Sequence, residues 1–92
     1  MNIKNIYIGT LKIYFFEDEK TVALTRKDES LFALKDKLVN KEAVLHEANK
    51  YSMLPGKIVL SYQIRNNGVP IVTEKISGFL NPNREIIIAG ML

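Results

Sequence analysis

The chain has 92 residues, of which 47% are hydrophobic and 25% are charged, a composition that excludes a disordered chain and predicts one compact domain over residues 1–92. It has no cysteine, which excludes disulfides and thiolate metal sites, and no apolar run near the roughly 20 residues that span a bilayer, so we expect a cytoplasmic protein. The net charge of +3 is too small to indicate nucleic-acid binding by itself.

Strand-like alternation dominates the first third of the chain. Apolar and polar residues alternate from residue 6 to residue 15, with Gly9 and Thr10 in the middle of the run. A two-residue turn at Gly9 and Thr10 would place the apolar residues on either side of it on one face, whereas the alternative is one long strand bulged at Gly9. The polar tetrad Glu17–Lys20 indicates a further reversal before the pattern resumes over residues 21–25. We therefore expect an N-terminal β-meander.

A helical period replaces the alternation after residue 27. Leucines recur at a spacing of three and four over residues 31–38, and Asp28 or Ser30 could cap the first turn. A continued stripe would bring a lysine into its seam, so we expect a break near Asn40. That residue either ends one broken helix or caps a second short helix over residues 41–51.

The clearest local pattern is a β-hairpin around Asn67 and Gly68, a pair typical of type I′ turns. Runs rich in β-branched residues flank this pair on both sides. With a two-residue loop, Tyr62 lies opposite Thr73, and the even-numbered residues from 58 to 64 face the core. The hairpin therefore supplies two strands and one wall of the core.

The final strand follows a less regular region. Pro70 has no backbone N–H and predicts an edge position in the sheet. The run Ile86–Ile88 has no alternation, which indicates a strand that is covered on both faces or covered by a partner. Together the elements predict an α+β fold with an N-terminal β-meander, a central helical segment, a C-terminal β-hairpin and a final strand, in a mostly antiparallel sheet for which a barrel-like closure is the alternative to an open sheet.

The sequence has no constellation of catalytic or metal-binding residues. His46 is the only histidine, and no second imidazole or thiolate completes a metal site with it. The glycines are isolated, so no phosphate-binding loop is formed, and Glu17–Glu19 are best interpreted as a solvated turn. We therefore expect neither an enzyme nor a cofactor or metal site.

The first binding hypothesis is a small, non-catalytic protein-binding module. It would act as a regulator, inhibitor or assembly component, of the kind common in phages and mobile elements, and would associate as a homodimer. The basis is the apolar final strand, which needs cover at a sheet edge. The candidate partner interface consists of Pro70, Ile86, Ile87, Ile88, Met91 and Leu92.

The alternative hypothesis is a protein that binds single-stranded DNA or RNA. Lys12, Tyr14 and Phe16 share one face of a predicted strand, and a cation beside aromatic rings suits the stacking of bases. Loops add further cations. The candidate nucleic-acid-binding residues are Lys12, Tyr14, Phe16, Arg26, Lys27, Arg65 and Arg84.

Overall fold

The computed structural model describes residues 5–89 and contains, within that range, one five-stranded sheet and two helices. The elements in chain order are β1 (Tyr7–Phe15), β2 (Lys20–Asp28), α1 (Leu31–Leu38), α2 (Lys41–Lys50), β3 (Gly56–Asn66), β4 (Val69–Leu80) and β5 (Ile86–Ile88). All strand pairs are antiparallel and the spatial order is β2-β1-β3-β4-β5. The predicted α+β fold is therefore confirmed. The sheet is open, with β2 and β5 at its two edges, so the barrel-like closure is not formed.

Both helices pack on one face of the sheet and bury a single apolar core. α1 contacts β1 and β2, and α2 contacts β5. The predicted inward set on β3 is confirmed, because the even-numbered residues from 58 to 64 are all buried. Each fully buried leucine or isoleucine contributes roughly 1.5–3 kcal/mol through removal from water. The largest fully buried side chains are Leu11, Ile13, Phe15, Leu34, Leu38, Val44, Ile58, Leu60, Ile64, Leu80 and Ile88.

Gly9 lies in the middle of β1, and the predicted turn at Gly9 and Thr10 is wrong. The register of β1 against both of its neighbours runs without a shift from Tyr7 to Phe15, so there is no bulge either. The physical reason for the glycine is close packing. A Cβ placed on Gly9 would lie 2.2 Å from Cδ1 of Leu38, so the absence of a side chain lets α1 approach the strand.

The helix boundaries follow the predicted caps. Ser30 caps α1, with its hydroxyl accepting a hydrogen bond from the Ala33 N–H at 3.2 Å. Asn40 caps α2, with its side-chain oxygen accepting from the Ala43 N–H at 3.1 Å. The alternative of two short helices with a break at Asn40 is therefore the one that forms, because each cap satisfies backbone N–H groups that have no partner within the helix.

The hairpin of β3 and β4 has the predicted turn but a different register. Asn67 and Gly68 have φ values of 51° and 79°, as a type I′ turn requires. Beyond the turn, Tyr62 lies opposite Glu74 rather than Thr73. The cause is a register shift between Ile64 and Arg65, where β4 carries one extra residue.

The last strand, β5, is half covered. Ile86 and Ile88 are buried in the core, whereas the side chain of Ile87 is 50% exposed. The expectation of cover on both faces is therefore wrong within the described residues, and the strand alternates after all. Met91 and Leu92 lie outside the described residues. Neither α1 nor α2, the helices of residues 5–89, has the length and apolar character needed to cross a membrane.

Candidate functional site

One face of the sheet carries no helix in the described part of the chain, and we call it the open face. It is formed by the side chains that alternate with the buried ones along each strand. On β1, for example, Leu11 and Ile13 are buried on the helix side, while Lys12 and Tyr14 point the other way. The pairing registers extend this assignment to the neighbouring strands. The open face is therefore a continuous surface across the whole sheet.

Positive charge is concentrated on the open face. Five exposed cationic side chains project from its strands, and the strand positions described there include no aspartate or glutamate. The carboxylate of Glu74 in β4 faces the helix side, where it accepts a hydrogen bond from the Tyr62 hydroxyl at 2.5 Å. The cations of the open face are Lys12, Lys27, Lys57, Arg65 and Lys75.

Four of these cations frame a neutral polar row, and we call this part of the open face the cationic end. Lys12 and Lys75 lie on either side of Ser61 in one cross-strand row. Lys27 and Arg65 lie on either side of Ile8 in another row, four residues nearer the start of β1. The row between them contains only neutral hydrogen-bonding side chains, Thr25, Thr10, Gln63 and Thr73.

A shallow groove of about 440 Å³ runs over the cationic end. Tyr62 and Glu74 also line it, although their register points their side chains to the helix side. Hydroxyls and amides between ammonium and guanidinium groups are the donors that phosphate oxygens accept from. The lining side chains of the open face are Thr10, Lys12, Ser61, Gln63, Arg65, Thr73 and Lys75.

The opposite end of the open face is aromatic, and we call it the aromatic end. The rings of Tyr14 and Phe16 meet edge to face with their centroids 4.7 Å apart. The ammonium group of Lys57 lies 5.1 Å from the centroid of Phe16, which is within the range of a cation–π contact. Phe79 and Ile87, both about half exposed, continue this row across β4 and β5.

An acidic turn borders the aromatic end. Phe16 begins the turn between β1 and β2, and Glu17, Asp18 and Glu19 follow it. Asp18 is a structural group, because its carboxylate accepts a hydrogen bond from the Leu54 N–H at 2.9 Å. Negative charge at one end and positive charge at the other give the open face a gradient of potential along its strands.

Most of the sequence-predicted nucleic-acid residues lie together on the open face. Lys12 and Lys27 belong to the cationic end with Arg65, and Tyr14 and Phe16 form the aromatic pair. Alternation along β1 was a sufficient signal for the three residues of that strand. The structure therefore joins five of the seven candidates into one surface.

The two remaining candidates lie elsewhere. Arg26 pairs with Gly9 and so points to the helix side of edge strand β2. Arg84 is held by two hydrogen bonds, from Nε to Asn49 Oδ1 at 2.9 Å and from Nη1 to the Met53 carbonyl at 2.7 Å. These contacts tie the loop before β5 to the end of α2, which is a structural role.

Sequence reasoning missed the neutral side chains of the groove, and it also missed two cations and one ring of the open face: Lys57, Lys75 and Phe79. Alternation from the predicted core residue Ile58 would have identified Lys57. Lys75 and Phe79 were out of reach, because a hairpin without a bulge turns both of them toward the core.

The residues predicted as a partner interface are divided by the fold. Pro70 lies in the section of β4 that has no second strand neighbour among the described residues, because β5 pairs only with Gly78–Leu80. Ile87 is exposed on the open face, and Ile86 and Ile88 are core residues. The proposed interface is therefore not one surface within the described residues.

Comparison with known proteins finds no matching family model, no matching curated protein and no matching solved structure.

Proposed function

We propose that this chain is a non-catalytic, cytoplasmic protein that binds single-stranded nucleic acid on its open face. One observation carries the proposal: in the part of the chain that the structure describes, five cations and no strand carboxylate share the side of the sheet without helices, next to the paired rings of Tyr14 and Phe16. Cations bind phosphates, and rings stack on bases without regard to sequence. The ligand class that uses both features at once is a single strand.

The charge of the open face disfavours its use for packing against a second copy. A two-fold interface buries the same surface on both copies, so each copy would bring five cations, and the described strands of the open face bring no carboxylate to neutralise them. Burying that many like charges costs free energy, which opposes the gain from covering apolar residues such as Phe16, Phe79 and Ile87. An anionic ligand avoids this cost.

The width of the sheet favours a single strand over a duplex. Five strands at about 4.8 Å each span about 19 Å between the two edge strands. The major groove of B-DNA is about 12 Å wide and admits a helix or a two-stranded ribbon. The open face is too broad to enter it, whereas a single strand can lie across the sheet with its bases against the rings.

The test is the salt dependence of binding to a fluorescein-labelled oligothymidylate, measured by anisotropy from 50 to 200 mM salt. If the four cations of the cationic end contact phosphates, the slope of log K against log salt is about −2.8, since each single-strand phosphate contributes about −0.7. This slope corresponds to a loss of about 50-fold in affinity over that range. A flat salt response, or no binding at 50 mM, contradicts the proposal.

A matched pair of variants assigns the binding to the open face. Lys12→Gln with Lys75→Gln removes two charges from the cationic end and is expected to make the salt slope about 1.4 shallower. Lys41→Gln with Lys50→Gln removes the same number of charges from α2 and should leave the slope unchanged. Equal effects of the two double variants would show that net charge, rather than the open face, governs binding.

A protein partner is the second candidate, and the edge of β4 supports it. From Val69 to Ile76 this strand has no neighbour on one side among the described residues, and an extended peptide or a second copy could add a strand there. Pro70, the bulge and Lys75 are features that protect edges from such pairing, which ranks this candidate second. A homodimer by light scattering that ignores the oligothymidylate would reverse the order.

A further inference from the structure

We infer that the bound strand crosses the β-strands rather than running along them, with its phosphates over the cationic end and its bases turned toward the aromatic end. The inference rests on the proposed function and adds the orientation of the ligand. It follows from the placement of four of the five cations at one end of the face and of the aromatic rings at the other, where Lys57 contacts Phe16; a uniformly mixed surface would not show this division.

The charged rows of the cationic end run across the β-strands. Lys12 and Lys75 flank Ser61 in a row perpendicular to the strands, about 10 Å apart at two strand spacings. The groove over the cationic end is lined by this row, by the neutral row beside it and by Arg65. A phosphodiester chain that follows the row from Lys12 to Lys75 therefore runs from β1 to β4, across the sheet.

The row that contains Lys12 lies one base length from the nearest aromatic ring. Tyr14 follows Lys12 by two residues on the same face of β1, which is about 7 Å along the strand. A base attached to a backbone at Lys12 extends by a similar length, so it reaches the ring of Tyr14. Phe16 lies next in the same direction and meets Tyr14 edge to face.

The acidic turn beside the aromatic end disfavours phosphates there. The turn Glu17–Glu19 directly follows Phe16, and its carboxylates repel phosphates there. A strand that ran along β1 would have to bring phosphates up to this turn. A strand that crosses the sheet at the Lys12 row keeps its phosphates away from the turn and offers only its bases to the rings.

The experiment separates the two ends with two probes, oligothymidylates of two to twelve nucleotides and inorganic tripolyphosphate, which has no bases. Tyr14→Leu with Phe16→Leu removes the rings and keeps apolar side chains. This double variant should weaken oligothymidylate binding at least fivefold, since one stacked base contributes roughly that factor. It should leave both the salt slope and tripolyphosphate binding unchanged.

The charge variant and a ring control complete the design. Lys12→Gln with Lys75→Gln should weaken the binding of both probes. Phe32→Leu removes the ring of a phenylalanine that is 77% exposed on α1, away from the open face, and should change neither. Because the cationic end spans only about 14 Å from Lys27 on β2 to Lys75 on β4, affinity should level off near four nucleotides, the short end of single-strand site sizes.

The outcomes separate the inference from the proposed function. If the wild-type protein binds no oligothymidylate at 50 mM salt, the proposed function and the inference both fail. If it binds, but the ring variant weakens tripolyphosphate as much as oligothymidylate, or affinity keeps rising to twelve nucleotides, nucleic-acid binding stands and the crossed orientation is refuted. A double ring variant whose circular dichroism differs from wild type is replaced by the single variant Tyr14→Leu, for which the same expectations hold.

Discussion

Replacing Gly9 by alanine should destabilise the protein, against the usual preference of strands. In an ordinary strand interior, alanine is better than glycine by about 0.5–1 kcal/mol because the unfolded chain loses freedom. Here the new Cβ would meet Leu38, at 2.2 Å from Cδ1 and 3.1 Å from Cγ. Because Leu38 is fully buried, its side chain has no open space into which it can turn, and α1 must shift.

The expected cost follows from these opposing effects. Overpacking of a well-filled core costs about 1–3 kcal/mol, so the net loss of unfolding free energy for Gly9→Ala is about 1–2 kcal/mol. Urea unfolding followed by circular dichroism measures it, and the melting temperature should fall by roughly 4–8 °C for each kcal/mol. Thr10→Ala, on the open face of the same strand, is the control for strand propensity and should cost no more than about 1 kcal/mol.

A double-mutant cycle with Leu38→Ala tests the assigned contact. Leu38→Ala alone should cost about 2–5 kcal/mol because it leaves a cavity. In the Gly9→Ala background the added methyl group fills part of that cavity, so the two effects should fall short of additivity by about 1 kcal/mol. A stabilising Gly9→Ala, or strict additivity with Leu38→Ala, would refute the close approach of α1 to β1.

Three further predictions concern single groups. Asn40→Ala should lower the free energy of unfolding by about 1 kcal/mol in a urea titration, because α2 loses its cap. Hydrogen bonds from the Lys37 ammonium group and from the Ser30 N–H lower the pKa of Asp28 below 3.8. The free energy of unfolding should therefore fall as pH drops through that lowered pKa, and Asp28→Asn should reduce this loss of stability in acid. Burial and the neighbouring Glu74 raise the pKa of Tyr62 from 10.0 to about 12; the folded state then holds its proton longer than the unfolded state, so stability should decline between these pH values, and Tyr62→Phe should lack that decline.

Local chemistry explains why the turns and caps were predictable. Asn67 and Gly68 adopt positive φ values that few other residues tolerate, and Asn40 caps a helix with its own side chain. Both signals act within three residues, so they can be interpreted without knowing the fold. The helix break and the hairpin were therefore correct in the sequence analysis.

Long-range packing explains the main error in the first strand. Gly9 gives the same local signal whether it forms a turn or admits a neighbouring element, because both uses depend on the missing Cβ. The neighbour is Leu38, far along the chain, and no pattern within β1 refers to it. Because of the wrongly predicted turn, Ile6 and Ile8 were expected on the same face as Leu11. They lie instead on the open side of the sheet, with roughly half of their surface exposed.

Only part of the candidate site could be predicted from the sequence, for a related reason. Lys12, Tyr14 and Phe16 alternate along one strand, so period-two reasoning found them. Gathering cations from four strands into one surface requires the strand order and every register. The sequence contains neither directly, and an error of one residue in a single register changes which side chains belong to the surface.

The extra residue in β4 carries no charge, but it determines which charged side chains lie on the open face. Without the bulge near Ile64, the strand beyond it would be turned over, Glu74 would project from the open face opposite Ser61, and Lys75 would point into the core opposite Leu60. Five positive charges would become four, joined by a negative one, and a lysine would be buried among aliphatic side chains. Regular pairing of the same residues would thus replace a cationic surface by one of mixed charge, although every charged residue would still be present in the chain.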